Sequence, residues 1–156
     1  HEAGYDFWFN LRLFPWAKEL HTRLNKLCDN NVIFCTSPGN WANSAGAKID
    51  YVVEHFKSNK IIITKKKEYL ASPTMFLVDD SSYQTEPFIK QGGGAFTWPN
   101  SNKLESGSIS FEETFKELEA KIEDHKRTHR LSPFVPISSY TAPYETRPHY
   151  KTNEKL

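Results

Sequence analysis

The amino-acid sequence predicts an α/β fold with a mostly parallel sheet, in a Rossmann-like three-layer core. Two observations lead to this prediction. Short apolar runs, typical of strands that are covered on both faces, recur along the chain. Segments with apolar residues at helical spacing separate these runs, and such alternation favours helices packed against a parallel sheet. The predicted strands comprise residues 32–35, 61–63, 75–78 and 95–98.

The helix predictions rest on apolar residues three and four positions apart. In the first predicted helix, Trp16, Leu20, Leu24 and Leu27 share one face. The last predicted helix opens with a Ser-x-x-Glu capping box. The predicted helices comprise residues 15–28, 41–56, 84–91 and 110–130, and residues 102–107 are predicted to form a loop.

The C-terminal segment 131–156 differs in composition from the rest of the chain. Prolines at four positions alternate with tyrosines, and proline is excluded from helix interiors and central strands. Two interpretations stay open: a disordered tail, or an extended arm that docks on a partner through its aromatic side chains. We therefore divide the chain into a core domain, residues 1–130, and a Pro/Tyr-rich extended tail, residues 131–156.

Bulk composition excludes some classes of function. The chain has 156 residues, of which 38% are hydrophobic and 25% charged, as expected for one globular domain. The formal net charge of +1 indicates no general attraction to nucleic acid, and no apolar run reaches the roughly 18 residues of a membrane span. Cys28 and Cys35 lack metal-ligand spacing, so we expect buried thiols in a reducing, intracellular compartment, either cytoplasm or mitochondrial matrix.

Polar residues follow three successive predicted strands. The first strand ends in Thr36 and Ser37, the second in the lysine run 65–67, and the third in Asp79 and Asp80. Ligands of open α/β sheets bind beyond the carboxyl ends of the strands. Hydroxyl donors, a cation and a carboxylate pair at one edge are what phosphoryl transfer with magnesium requires. Each signal is weak alone, and their joint occurrence predicts a phosphate site.

The order of these motifs resembles motifs two, three and four of the haloacid dehalogenase superfamily. The closer resemblance is to the 5′(3′)-deoxyribonucleotidase family, and it extends over about residues 4–100. The resembling segments are Phe-Trp-Phe-Asn-Leu at 7–11, Val-Ile-Phe-Cys-Thr-Ser-Pro at 32–38, Gly-Ala-Lys-Ile-Asp-Tyr-Val-Val-Glu-His at 46–55, Ile-Ile-Ile-Thr-Lys-Lys-Lys at 61–67 and Phe-Leu-Val-Asp-Asp at 76–80.

This resemblance implies which residues would bind the phosphate of a nucleoside monophosphate. Thr36 and Ser37 would donate hydrogen bonds to the phosphate oxygens. Lys65 occupies a neighbouring basic position that the family often uses for phosphate, and Lys48 matches a further lysine of the family.

The resemblance also implies a catalytic lysine and a metal site. Lys67 would be the motif-three lysine, which neutralises both the phosphate and the nucleophile. Asp79 and Asp80 would hold Mg²⁺, one directly and the other directly or through water. On this basis the chain resembles a phosphoric monoester hydrolase, a 5′-nucleotidase.

The sequence departs from the family at the nucleophile. The family reaction needs an Asp-x-Asp motif after the first strand, whose first carboxylate attacks phosphorus, and no such motif follows an apolar run here. In the superfamily that strand lies between the Thr-Ser strand and the Asp-Asp strand. The resemblance therefore predicts a haloacid dehalogenase-like sheet that lacks its first strand. Either another polypeptide supplies the strand, or the two flanking strands close up into a smaller sheet.

These observations leave two main hypotheses of function. The chain is the C-terminal part of a magnesium-dependent 5′-nucleotidase, with its nucleophile on a missing or separate N-terminal part. Alternatively, it is a catalytically dead, nucleotidase-like domain that serves as a structural or interaction subunit of a larger assembly. The expected partners are a nucleoside monophosphate or phosphate and another polypeptide, which supplies the strand or docks the tail. Nucleic-acid binding, through tryptophans and the lysine run, is a weaker third hypothesis because the net charge is nearly zero.

Overall fold

The strands of this protein pair in parallel, in two small sheets with helices packed against them. A computed structural model describes residues 4–40 and 43–130. The described strands are β1 (Phe34–Thr36), β2 (Ile61–Ile63), β3 (Phe76–Asp79) and β4 (Gly94–Thr97). The described α-helices are α1 (Tyr5–Phe9), α2 (Ala17–Leu27), α3 (Ser44–Phe56), α4 (Ser82–Lys90), α5 (Ser101–Glu105) and α6 (Phe111–Arg130), and a 3-10 helix spans Lys67–Leu70. The mixed α/β class predicted from the sequence is confirmed.

The strand pairing departs from the single sheet that the sequence predicts. β1 pairs with β2 and β3 pairs with β4, each in parallel register. Within the described residues no ladder joins the two pairs, so they form separate two-stranded sheets. A cavity of about 750 Å³ is lined by residues of both β1 and β3.

The largest buried cluster lies beneath α6, on the side of β3 and β4. Trp98, Leu104, Phe115, Leu118 and Ile122 form this cluster, and Leu118 is completely buried. Apolar side chains of α2 and of the strands β3 and β4 pack against it. The helical spacing of the apolar residues on α6 therefore turns one continuous face toward the core.

Helix boundaries follow local capping signals. The hydroxyl of Ser110 accepts a hydrogen bond from the backbone N–H of Glu113 at 3.3 Å, which is half of the predicted capping box. After α2 the backbone adopts positive φ at Asp29 and Asn30, which ends the helix. The predicted helices agree with the structure to within a few residues, apart from positions 41 and 42, which lie outside the described residues.

One predicted loop is wrong, because part of residues 102–107 belongs to helix α5. The side chain of Asn100 accepts a hydrogen bond from the N–H of Asn102 at 2.9 Å and caps this helix. Leu104 is 93% buried in the main cluster, and this burial holds the short helix in place.

The predicted tail, residues 131–156, lies outside the described residues. Among the helices that the structure describes, none combines the length and apolarity needed to cross a membrane.

Candidate functional site

The carboxyl ends of β2 and β3 meet at a buried ion pair. Lys67 begins the 3-10 helix that follows β2, and its Nζ lies 2.5 Å from Oδ2 of Asp79 at the end of β3. Both side chains are only 9% exposed. The second carboxylate oxygen of Asp79 accepts a hydrogen bond from the N–H of Ser81 at 3.0 Å. Charges buried together in this way must be paired, since desolvation of either one alone is costly.

The carboxyl end of β1 lies beside this ion pair. Burial raises the pKa of the Cys35 thiol, and the charges of Lys67 and Asp79 act on the same group in opposite directions. β1 and β2 pair in parallel with Thr36 opposite Ile63, so the end of β1 lies beside the end of β2, from which the chain leads to Lys67. The ends of β1, β2 and β3 therefore share one edge, although their sheets are separate.

A second lysine reaches the same edge from α3. Nζ of Lys48 donates a hydrogen bond to the backbone carbonyl of Ser37 at 2.6 Å and lies 4.3 Å from the ring centroid of Trp8. Burial lowers the pKa of Lys48, and the neighbouring charge of Lys67 lowers it further. The structure thus places the ammonium of Lys48 at the end of β1, and a second positive charge at this edge favours an anion there.

The two predicted hydroxyl donors lie at this edge as well. Thr36 and Ser37 are both half-buried. The hydroxyl of Thr36 is 3.5 Å from the carbonyl oxygen of Ser37, which is a long and weak contact. The Thr36 hydroxyl can therefore turn toward a ligand at little cost.

Lys65 and Asp80 are positioned differently from the other predicted residues. Both are exposed. Lys65 lies outside the network that joins Lys48, Lys67 and Asp79, and its role stays a prediction from the resemblance. Asp80 follows Asp79 directly and presents its carboxylate at the surface of the same edge.

Sequence reasoning missed the contact that Trp8 makes with Lys48. Trp8 lies on α1, which packs against α3, and it lines an apolar cavity of about 390 Å³ together with Thr36, Lys48 and Tyr51. The aromatic run at residues 7–9 indicates that these side chains pack against another part of the protein, but it does not indicate that the partner of the Trp8 indole ring is Lys48. A lysine over an aromatic face is held in one orientation by a cation–π interaction.

The described residues contain no group of three or more His, Cys, Asp or Glu side chains that could together hold a metal ion. Magnesium is commonly bound by only one or two protein carboxylates, with water and phosphate oxygens as its other ligands. Asp79 and Asp80 have the donor type for such a site.

No family model, curated protein or solved structure matches this chain. The geometry of the strand ends, together with the motif resemblance, therefore carries the functional proposal.

Proposed function

We propose that residues 1–130 are the C-terminal part of the core domain of a magnesium-dependent 5′-nucleotidase-like phosphatase acting on nucleoside monophosphates. The proposed fold is the Rossmann-like, haloacid dehalogenase-like core without its first strand. One observation carries the proposal: the buried Lys67–Asp79 pair joins the end of β3 to the chain that leaves β2, and Thr36 and the Lys48–Ser37 contact lie at the adjoining end of β1. A lysine, a carboxylate and hydroxyl donors at adjacent strand ends suit a phosphate and its metal ion.

The chemistry assigns each group a distinct task. Thr36 and Ser37 donate hydrogen bonds to the phosphate oxygens, and Lys67 and Lys48 neutralise their charge. Asp79 and Asp80 would hold Mg²⁺, which would supply Lewis-acid stabilisation of the phosphoryl oxygens.

The nucleophile is proposed to come from another polypeptide segment. An aspartyl-phosphate mechanism needs a carboxylate in line with the leaving oxygen, and the sequence has no Asp-x-Asp motif. We therefore expect residues 1–156 alone to bind phosphate and Mg²⁺ without turning over a nucleoside monophosphate.

A catalytically dead domain is the second candidate, and one observation favours it. Both oxygens of Asp79 already have partners, Lys67 and the N–H of Ser81, so this part of the edge is satisfied without a ligand. A structural subunit could keep the pair for packing alone. The two candidates differ in whether Mg²⁺ and phosphate bind.

The decisive experiment is titration calorimetry with MgCl₂ and inorganic phosphate on the full chain. We expect Asp80→Asn, at an exposed position, to weaken Mg²⁺ binding and Lys48→Met to weaken phosphate binding, each by roughly tenfold or more. Lys121→Met, on the exposed part of α6, is the matched control and should leave both affinities unchanged. Absence of Mg²⁺-dependent phosphate binding in the folded chain would favour the structural candidate.

A phosphatase assay tests the source of the nucleophile. Nucleoside monophosphates are incubated with the chain and MgCl₂, and released phosphate is measured. Turnover by residues 1–156 alone, abolished by Asp80→Asn at the exposed metal position, would show that the chain contains its own nucleophile and would overturn this part of the proposal.

The compartment is proposed from the two cysteines. Cys28 and Cys35 are free thiols that are partly buried in the structure. Free thiols favour a reducing compartment such as the cytoplasm or the mitochondrial matrix.

A further inference from the structure

We infer that Trp8 is a positioning residue, whose indole ring holds the Lys48 ammonium at the end of β1 as the cation that attracts the phosphate. The inference rests on the proposed function and deepens it, because it names which of the two lysines at this edge keeps an unbalanced charge. Two observations carry it: Lys67 is paired with a carboxylate, whereas Lys48 has only neutral partners.

The charge of Lys67 is already balanced within the protein. Its Nζ lies 2.5 Å from Oδ2 of Asp79, and both side chains are 9% exposed. Two opposite charges at this distance largely cancel each other's field at a third charge. An incoming anion is therefore attracted less strongly by Lys67 than by an ammonium without a carboxylate partner.

Lys48 has two partners that leave its charge in place. Its Nζ donates a hydrogen bond to the carbonyl of Ser37 at 2.6 Å and lies 4.3 Å from the centroid of the Trp8 ring. Among the described residues no Asp or Glu forms an ion pair with Lys48. A carbonyl dipole and an aromatic face attract a cation without neutralising it, so the full positive charge stays available to an anion.

The same two partners favour the charged form of Lys48. The side chain is half-buried, and burial lowers its pKa, as does the neighbouring charge of Lys67 to a smaller extent. The carbonyl and the indole face oppose this effect, because both interact with an ammonium more strongly than with a neutral amine. An ammonium has three N–H donors, and the hydrogen bond to Ser37 leaves donors for the oxygens of an anion.

The indole ring of Trp8 is itself held by packing. Helix α1 lies against α3, where the hydroxyl of Tyr5 donates a hydrogen bond to Oδ2 of Asp50 at 2.5 Å. A Cβ built on Gly39 would lie 3.8 Å from Cζ2 of Trp8, so the edge of the ring lies against the turn that follows β1. The ring therefore contacts both the lysine and the turn at which the phosphate is proposed to bind.

A double-mutant cycle on phosphate affinity tests the inference, by titration calorimetry of the full chain with inorganic phosphate in MgCl₂. Trp8→Leu should weaken phosphate binding by roughly threefold or more, and Trp8→Phe, which keeps an aromatic face, should restore most of the affinity. In the Lys48→Met background, Trp8→Leu should have no further effect, because Trp8 acts through the ammonium. Phe7→Leu removes an exposed ring from the same helix and is the control, with unchanged affinity expected.

A second measurement needs no ligand. Carbon-13 relaxation of the lysine ε-methylene groups gives an order parameter for each side chain, and the Lys48 signal is assigned by its loss in Lys48→Met. We expect Lys48 to be more ordered than the exposed Lys65. Trp8→Leu should lower the order parameter of Lys48 to that of Lys65, and Trp8→Phe should preserve it.

Several outcomes would overturn the inference. If Trp8→Leu weakens phosphate binding equally with and without Lys48, Trp8 acts by another route. If Phe7→Leu weakens binding as much as Trp8→Leu, the packing of α1 matters and the indole face does not. A wild-type chain that binds no phosphate would refute the proposed function, and the relaxation measurement would still decide whether Trp8 fixes the ammonium. An order parameter of Lys48 that Trp8→Leu leaves unchanged would refute the positioning role in either case.

Discussion

Removing one partner of the buried ion pair should destabilise the protein strongly. Asp79→Asn leaves the ammonium of Lys67 without a counter-charge at a position where the residue is only 7% exposed. Breaking a buried pair in this way typically costs about 3–5 kcal/mol. An asparagine carbonyl still accepts one hydrogen bond from Lys67, so we expect a cost near the lower limit of that range. Lys67→Met should cost a similar amount, because Asp79 would keep only its hydrogen bond from Ser81.

A double-mutant cycle in urea unfolding measures this effect. The combined Lys67→Met/Asp79→Asn variant should cost about as much as either single change, which corresponds to a coupling energy of about 2–3 kcal/mol. The exposed pair Arg127–Asp124, with side chains 75% and 65% exposed, is the control. Its Asp124→Asn variant should cost less than about 1 kcal/mol. If the single variants of the buried pair lower the free energy of unfolding by no more than this control, the prediction is wrong, because Lys67 and Asp79 would then behave as a solvent-exposed pair.

Three further predictions concern other parts of the chain. Lys48→Met should lower the free energy of unfolding by about 1.5 kcal/mol, since it removes a charged hydrogen bond to a carbonyl. As a control, Lys65→Met at an exposed position should change the free energy of unfolding by less than about 0.5 kcal/mol. Equal losses in the two variants would contradict the structure. Leu118→Ala should cost about 2–5 kcal/mol in the same urea assay, because the side chain is fully buried, and a cost below 1 kcal/mol would place it outside the core. Burial lowers the pKa of His125 below 6.5, and the imidazole of His129 lowers it further by a smaller amount. As the pH falls, His125 is therefore protonated in the unfolded chain before it is protonated in the folded protein. The free energy of unfolding should therefore fall as the pH drops from 6.5 toward the folded pKa of His125. In thermal unfolding from pH 7 to 5, His125→Gln should make this loss smaller. An unchanged pH dependence in the variant would exclude His125 as the source of the loss.

Local patterns in the sequence predict the strands and most of the helices. Continuous apolar runs identify all four strands to within two residues, because each is covered by helices and has little polar surface. The same reasoning places Lys67 and Asp79 at strand ends, and the structure brings them into contact. Their contact joins the ends of two strands that belong to separate sheets, so parallel pairing alone does not account for it.

Long-range contacts are not visible in local patterns. The partner of Trp8 is Lys48 on another helix, and no spacing along the chain indicates this pairing. Helix α5 was missed because its Asn- and Ser-rich residues resemble a turn, while the burial of Leu104 stabilises the helix only in the folded protein. The split of the sheet is of the same kind, since strand order depends on which edges meet after folding.

The position of the main cluster has a consequence for how the two halves unfold. The buried apolar residues of this cluster lie with β3, β4 and α6, whereas the strands β1 and β2 contribute no fully buried residue. Because no backbone ladder joins the two sheets among the described residues, we expect the half that carries Thr36 and Lys48 to open at a lower free energy than the other half. A strand bound between them would join the two halves into one cooperative unit. The proposed phosphate edge, which draws residues from both halves, would then be assembled only when that unit is complete.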